Sequence, residues 1–230
     1  MYTNIIHITH RIINSSLNIN TIMTVLGGQS RDCKLTVLGD SSVGKTTLIH
    51  SFVNDEYRPD FKPTLGTDIS TKYLTIDGQQ ITVTIWDTAG TERFKSLSQN
   101  FYRGSQACIL VADLTNIESF KNLKLWHQDI YGALPAEEVS TFPFVILANK
   151  SDLTDQRKVS PEQVKNFGEI IQCETFEVSA KNRDNVDDAF EFILKKYLEN
   201  LRINPVRLEP NSIDIDGNND NQNGGGCCHF

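Results

Sequence analysis

Apolar and polar positions alternate along this chain in blocks that change period, and the blocks predict its elements. The apolar run Cys33 to Leu38 reads as a strand, and a helical pattern follows from about Lys45. Leu74 to Trp86 contains two strand-like runs on either side of Asp77-Gly78, a two-residue hairpin signal, so one strand is expected to enter antiparallel. Ala107 to Ala112 and Phe142 to Ala148 are continuously apolar, as in strands buried on both faces. Phe176 to Val178 forms a shorter strand-like run. Val186, Ala189, Phe190, Ile193, Leu194 and Tyr197 recur at helical spacing. Asp187 and Asp188 stand in that helix's first turn, and Lys195 and Lys196 lie near its last, each complementing the dipole. Strands alternating with helices predict an α/β fold wound around a mostly parallel sheet.

The periodic pattern occupies residues 31–199, which are expected to form one globular domain. Residues 1–30 contain no Asp or Glu and too little arginine for a mitochondrial transit peptide, so they are expected to be a disordered leader. Met23 is an alternative start. Pattern is lost after about Asn200, and Pro210 to Gly226 is so rich in Asn, Asp and Gly that residues 200–230 are expected to be a flexible tether. No apolar run has the length needed to span a bilayer. A net charge of −7 argues against general affinity for nucleic acid, which needs clustered Lys and Arg. The five cysteines are Cys33, Cys108, Cys173, Cys227 and Cys228, without zinc-ligand spacing, which fits a reducing cytosol. Cys33 and Cys108 fall in apolar runs and are expected in the core.

The stretch GDSSVGKT comprises Gly39, Asp40, Ser41, Ser42, Val43, Gly44, Lys45 and Thr46, and fits the template G-x-x-x-x-G-K-[S/T] between a strand and a helix. Such a loop aims successive backbone N–H groups at one point. Lys45 reaches the outer phosphates of a nucleotide, the Thr46 hydroxyl joins a Mg²⁺ shell, and the following helix adds its positive end. Downstream, Trp86-Asp87-Thr88-Ala89-Gly90 ends a strand with a carboxylate suited to a Mg²⁺ water and a glycine whose N–H can meet a terminal phosphate. A lone aspartate after a strand is ordinarily a loop residue or helix cap. Its company changes that reading. Asn149-Lys150-Ser151-Asp152 follows one apolar run, and Ser179-Ala180-Lys181 follows another. Alone, both strings are ordinary turn chemistry. An Asp152 carboxylate can accept from the N1–H and 2-amino group of guanine, a donor pair that adenine lacks, so discrimination could reach roughly 10⁴.

With GDSSVGKT, PTLG, WDTAG, NKSD and SAK in this order, residues Cys33 to Glu199 resemble a small GTPase of the Ras superfamily. WDTAG, Phe101-Tyr102-Arg103-Gly104 and the terminal double cysteine are similar to the Rab branch, and Thr141 to Leu147 to its late-endosomal and vacuolar members. The resemblance implies a phosphate-loop G domain with a mixed, mostly parallel six-stranded sheet and helices on both faces. It also implies GTP and GDP binding with Mg²⁺, hydrolysis of GTP, and vesicle trafficking by a monomer. Thr47 would join the nucleotide site, and Tyr57 would pack on the guanine. Thr64 would bind Mg²⁺ and sense the γ-phosphate. Asn149 would brace base and phosphate loop, Lys150 would cover the base, and Ser179, Ala180 and Lys181 would close the pocket, the Ala180 N–H meeting O6. Gly66, Ile69, Trp86 and Tyr102 would form the surface that effectors read, unless Trp86 simply packs over the sheet.

Two positions depart from the family pattern. Thr91 stands where a glutamine usually orients the attacking water, and Ile69 where a phenylalanine usually faces effectors. Intrinsic hydrolysis in small GTPases is on the order of 10⁻⁴ s⁻¹, and a side chain too short to bridge water and phosphate lowers it further. The runner-up reading is therefore a GTP-loaded binding module with little hydrolysis of its own. An ATP-using phosphotransferase would leave Asp152 unexplained. Cys227 and Cys228 sit at the end of the tether, where the final Phe230 favours geranylgeranylation. Two lipid chains give the stable anchoring that one does not. The resemblance implies an activating protein, an exchange factor, effectors, and prenyl escort and extraction factors. It places the chain on the cytoplasmic face of intracellular membranes, late endosome or vacuole, with a cytosolic pool.

Overall fold

The computed structural model describes residues 30–59, 64, 66–90, 101–136 and 138–203. In chain order these form β1 (Arg31–Leu38), α1 (Lys45–Asn54), β2 (Thr67–Ile76), β3 (Gln79–Thr88), β4 (Ala107–Asp113), α2 (Ile117–Tyr131), β5 (Phe144–Asn149), a short 3₁₀ turn (Thr154–Gln156), α3 (Pro161–Ile171), β6 (Glu174–Glu177) and α4 (Val186–Ile203). The six strands lie in the order β2-β3-β1-β4-β5-β6. Every neighbouring pair is parallel except β2 with β3. That hairpin turns through Asp77 and Gly78, both at positive φ (50° and 76°), as a two-residue turn of the kind matched to strand twist requires.

The continuous apolar runs have become the middle of the sheet. All seven residues of β4 are buried, and its alternate side chains feed two separate cores. On one face Ile109 and Val111 join Leu35, Val83, Val145 and Leu147 under α1 and α4, whose Phe52 and Phe190 rings stack at 4.0 Å. On the other, Cys108, Leu110 and Ala112 join Ile146 and Ala148 beneath α2 and α3. Cys33 and Cys108 lie in these cores as expected, and burial pushes the Cys33 thiol up to about 12. β5 begins at Phe144 and not at Phe142, because Pro143 has no N–H to give a ladder. Its carbonyl still accepts from the Cys108 N–H at 3.0 Å. At the C-terminal end α4 continues to Ile203, and Leu201 still packs against the core. No helix of the described residues is long and apolar enough to cross a membrane.

α3 starts at a reciprocal cap in which Ser160 and Gln163 satisfy each other's backbone N–H groups, with Pro161 following. Within it, Gly168 is pressed against β6. A Cβ there would lie 2.5 Å from Thr175 Cγ2 and 2.7 Å from the Cys173 carbonyl oxygen. Gly168→Ala gains helix propensity, but the backbone contact forces α3 off the sheet. The expected net result is a loss of about 1–3 kcal/mol in chemical denaturation.

Candidate nucleotide site

All parallel strands end on one edge of the sheet, and the loops leaving β1, β3, β4 and β5 converge there, the position at which wound α/β sheets take ligands. The first of these loops is Gly39 to Gly44. Gly39 runs so close to β4 that a Cβ on it would sit 2.2 Å from the Val111 carbonyl oxygen. Gly44 has φ +97°, and a Cβ there would sit 2.4 Å from Asn149 Nδ2. Ser42 also takes the left-handed conformation, at φ 65°. α1 then begins at Lys45 with no side-chain cap and no acid in its first turn. Its N–H groups and positive end therefore face the loop unneutralised. Lys45 is 6% exposed, and its Nζ donates to the carbonyls of Gly39 at 2.8 Å and Asp40 at 3.0 Å. Thr47 is partly buried in the first turn of α1.

Three oxygen-bearing side chains from separate segments meet beside Lys45. The Thr46 hydroxyl donates to Asp87 Oδ2 at 2.5 Å and lies 2.8 Å from the Thr64 hydroxyl, which reaches the same carboxylate at 3.3 Å. Asp87 is 3% exposed, and its Oδ1 is buried with no hydrogen-bond partner among the described residues. Burial raises its pKa against the lowering effect of the Thr46 and Lys45 contacts. A buried carboxylate with one unsatisfied oxygen, flanked by two hydroxyls, is the hard-oxygen donor set that suits Mg²⁺ held jointly with phosphate. Gly90 follows at once. A Cβ on it would lie 2.0 Å from Ser41 N and 2.3 Å from Asp40 C, so its backbone touches the phosphate loop.

The base-side residues are tied into the same structure. Asn149, 2% exposed, donates through Nδ2 to the Val43 carbonyl at 2.9 Å and accepts from Ala180 N at 3.2 Å. One side chain thus joins the phosphate loop to the Ser179-Ala180-Lys181 loop. Lys150 reaches across to the Ser42 carbonyl at 3.0 Å. Asp152 accepts from the Ser179 hydroxyl at 2.7 Å, which orients the carboxylate while leaving it acceptor capacity. Tyr57 and Lys181 are both exposed.

Sequence reasoning passed over Asp113, at the end of β4. Its Oδ2 pairs with Lys150 Nζ at 2.6 Å, while Oδ1 accepts from Thr115 N and Oγ1, so Asp113 fixes the lysine that spans the pocket. The available signal was a carboxylate closing a strand, the same signal that marked Asp87.

The effector surface needs a correction. Ile69 is 51% exposed and sits directly opposite Trp86 in the β2-β3 ladder. Trp86 is partly buried, with Lys34 Nζ 3.9 Å above its ring. Gly66 is exposed at φ 79°, its carbonyl accepting from Ala89 N at 2.9 Å. Tyr102, however, is 2% exposed and packs in the core with Leu38, Cys108 and Trp126. It cannot join Ile69 and Trp86. Its neighbour Phe101 is the partly exposed ring, because one residue along a helical turn moves the side chain to another face. Thr91, Cys227 and Cys228 lie outside the described residues.

Phosphate loop, hard-oxygen cluster and oriented carboxylate, brought together at one edge of a wound sheet, define a guanine-nucleotide-binding domain of the phosphate-loop class. The family model described as the Ras family matches residues 34–199. Relatives match over most of the chain's length. The chain is 42% identical over 197 residues to the Ypt/Rab-type GTPase YPT7 of Saccharomyces cerevisiae, spanning 81% of this chain and 93% of that one. It is 39% identical over 201 residues to the Ras-related protein RABG3b of Arabidopsis thaliana, spanning 85% and 96%. With the Ypt/Rab-type GTPase ypt7 of Schizosaccharomyces pombe it shares 41% over 173 residues, spanning 73% and 83%. The chain belongs to the Ras family, within its Rab branch.

Proposed function

We propose that this chain is a Rab GTPase that works as a nucleotide switch on late-endosomal or vacuolar membranes. The observation that carries the switch is the meeting of Thr46, Thr64 and Asp87, because it joins the phosphate loop, the segment before β2 and the end of β3 at a single point. Thr64 and Gly90 belong to loops on either side of the β2-β3 hairpin. When both are drawn to a γ-phosphate, the hairpin's outer face, with Ile69 and Trp86, is flanked by two ordered loops. Loss of that phosphate releases them. Thr46, Thr64 and Asp87 would hold Mg²⁺, which when bound offsets phosphate charge. Lys45 donates to the outer phosphates, the Gly90 N–H orients the terminal one, and Asp152, held by Ser179, selects guanine.

Late-endosomal or vacuolar address is supported by similarity to the YPT7 proteins of both yeasts and to RABG3b. Effectors, an activating protein, an exchange factor, and escort and extraction factors complete the reading. Lipidation of Cys227 and Cys228 provides the anchor.

Thr91 favours a second reading, a long-lived GTP state with little intrinsic turnover. A side chain this short leaves the attacking water without an amide to orient it, and Thr91→Gln is expected to speed single-turnover hydrolysis at least about tenfold. Equal rates for the two chains would remove the second reading. Wild-type turnover that stays negligible even with an activating protein would remove the first.

A further inference from the structure

One carboxylate in the phosphate loop turns toward α2. Asp40 accepts from Asn122 Nδ2 at 2.7 Å on Oδ2 and from Trp126 Nε1 at 2.8 Å on Oδ1. Both donors stand on α2, one turn apart. Trp126 is fully buried and sits in the core beneath α2 with Leu123 and Ile130, so the indole N–H is a fixed point. The main chain of Asp40 is equally engaged. Its carbonyl accepts from Lys45 Nζ at 3.0 Å, and the Asp40–Ser41 peptide is what Gly90 touches.

We infer that Asp40 is a positioning residue, through which Asn122 and Trp126 of α2 hold the Asp40–Ser41 peptide where Lys45 and Gly90 meet it and keep a negative charge turned away from the triphosphate. The inference rests on the reading of the chain as a GTPase and assigns α2 a part in it. Electrostatics supplies the reason two donors are needed. A carboxylate in a loop whose N–H groups collect anionic oxygens would compete with the nucleotide if it could swing inward. Charge-assisted bonds to donors rooted in the core prevent that swing. The damage from losing a donor therefore depends on the charge at position 40. Asparagine there has no charge to release, and its carbonyl still accepts from Trp126 while its amide donates to a flipped Asn122 side chain.

The test uses the full chain, with single-turnover GTP hydrolysis and the release of GDP and of a non-hydrolysable GTP analogue measured for the wild type, Asp40→Asn, Trp126→Phe and the pair. Asn122→Ala, on the partly exposed side of α2, provides a donor loss that leaves the core intact. Trp126→Phe and Asn122→Ala are each expected to slow hydrolysis about tenfold and to speed release of GTP more than of GDP. In the Asp40→Asn background the same substitutions should cost less than about twofold. With only two tryptophans in the chain, the Trp126 indole N–H resonance is assignable, and it should move upfield in Asp40→Asn as its acceptor loses charge. Equal losses in both backgrounds, or an indole resonance that stays put, would overturn the inference while leaving the switch in place. A wild-type chain that retains no guanine nucleotide would overturn both.

Discussion

Gly44→Ala is expected to lower GDP affinity by a factor of roughly 30 to 2 × 10⁴. Two costs add. At φ +97° an alanine is strained, by about 1–3 kcal/mol. Its methyl would also lie 2.4 Å from Asn149 Nδ2, so the amide must move. Asn149 is buried and holds both the Val43 carbonyl and the Ala180 N–H. Displacing it leaves buried groups unpaired, at about 1–3 kcal/mol. The sum of these costs sets the predicted range. Because Asn149 links phosphate and base loops, GDP and GTP should weaken together. Isothermal titration of both nucleotides checks this, and an unchanged GDP affinity would show that the loop relaxes without needing Asn149 where it stands.

Asp87→Asn should separate stability from function. Desolvation raises the pKa of Asp87 in the folded chain, so the folded state holds that proton more tightly than the unfolded state does. The sign follows by linkage. The stabilising contribution of the protonated group is complete below the ordinary carboxylate value and is lost as pH rises through the raised one. Above that raised value the nucleotide-free, Mg²⁺-free wild type carries a buried charge that asparagine does not. The variant's melting temperature should be a few degrees higher, with the gap closing as pH falls below the carboxylate range. With nucleotide present the order reverses. Mg²⁺ should lose its hold on GDP by about 10–100-fold, so that EDTA is expected to accelerate release from the wild type but not from the variant. Melting curves with and without Mg²⁺-GDP read both effects, and a variant less stable than wild type in every condition would refute the account of Asp87.

What was legible in the sequence had local causes. Asp77-Gly78 announces a hairpin because only a few residue types accept two successive positive φ values. β4 announces a central strand because a segment buried on both faces has no polar position to alternate with. The phosphate loop is legible because its spacing is itself the geometry. Other features depended on partners far along the chain. Asp40 meets Asn122 and Trp126 across 82 and 86 positions, and nothing local to residue 126 says where its N–H points. Asp113 could be placed at a strand end, but its pairing with Lys150 required knowing that β4 and β5 are adjacent. Tyr102 shows how sharply helical phase matters. Aromatic residues at 101 and 102 look alike in sequence, yet one packs inward and the other remains half-open.

A guanine-nucleotide switch requires that Asp152, held by Ser179, choose the base while the loop around Lys45 takes the phosphates. Competition of GDP and ADP for the purified chain, followed by displacement of a fluorescent GDP in Mg²⁺, tests that directly. GDP should win by a factor on the order of 10³–10⁴, because adenine offers neither donor to the carboxylate. Equal displacement by ADP would contradict it.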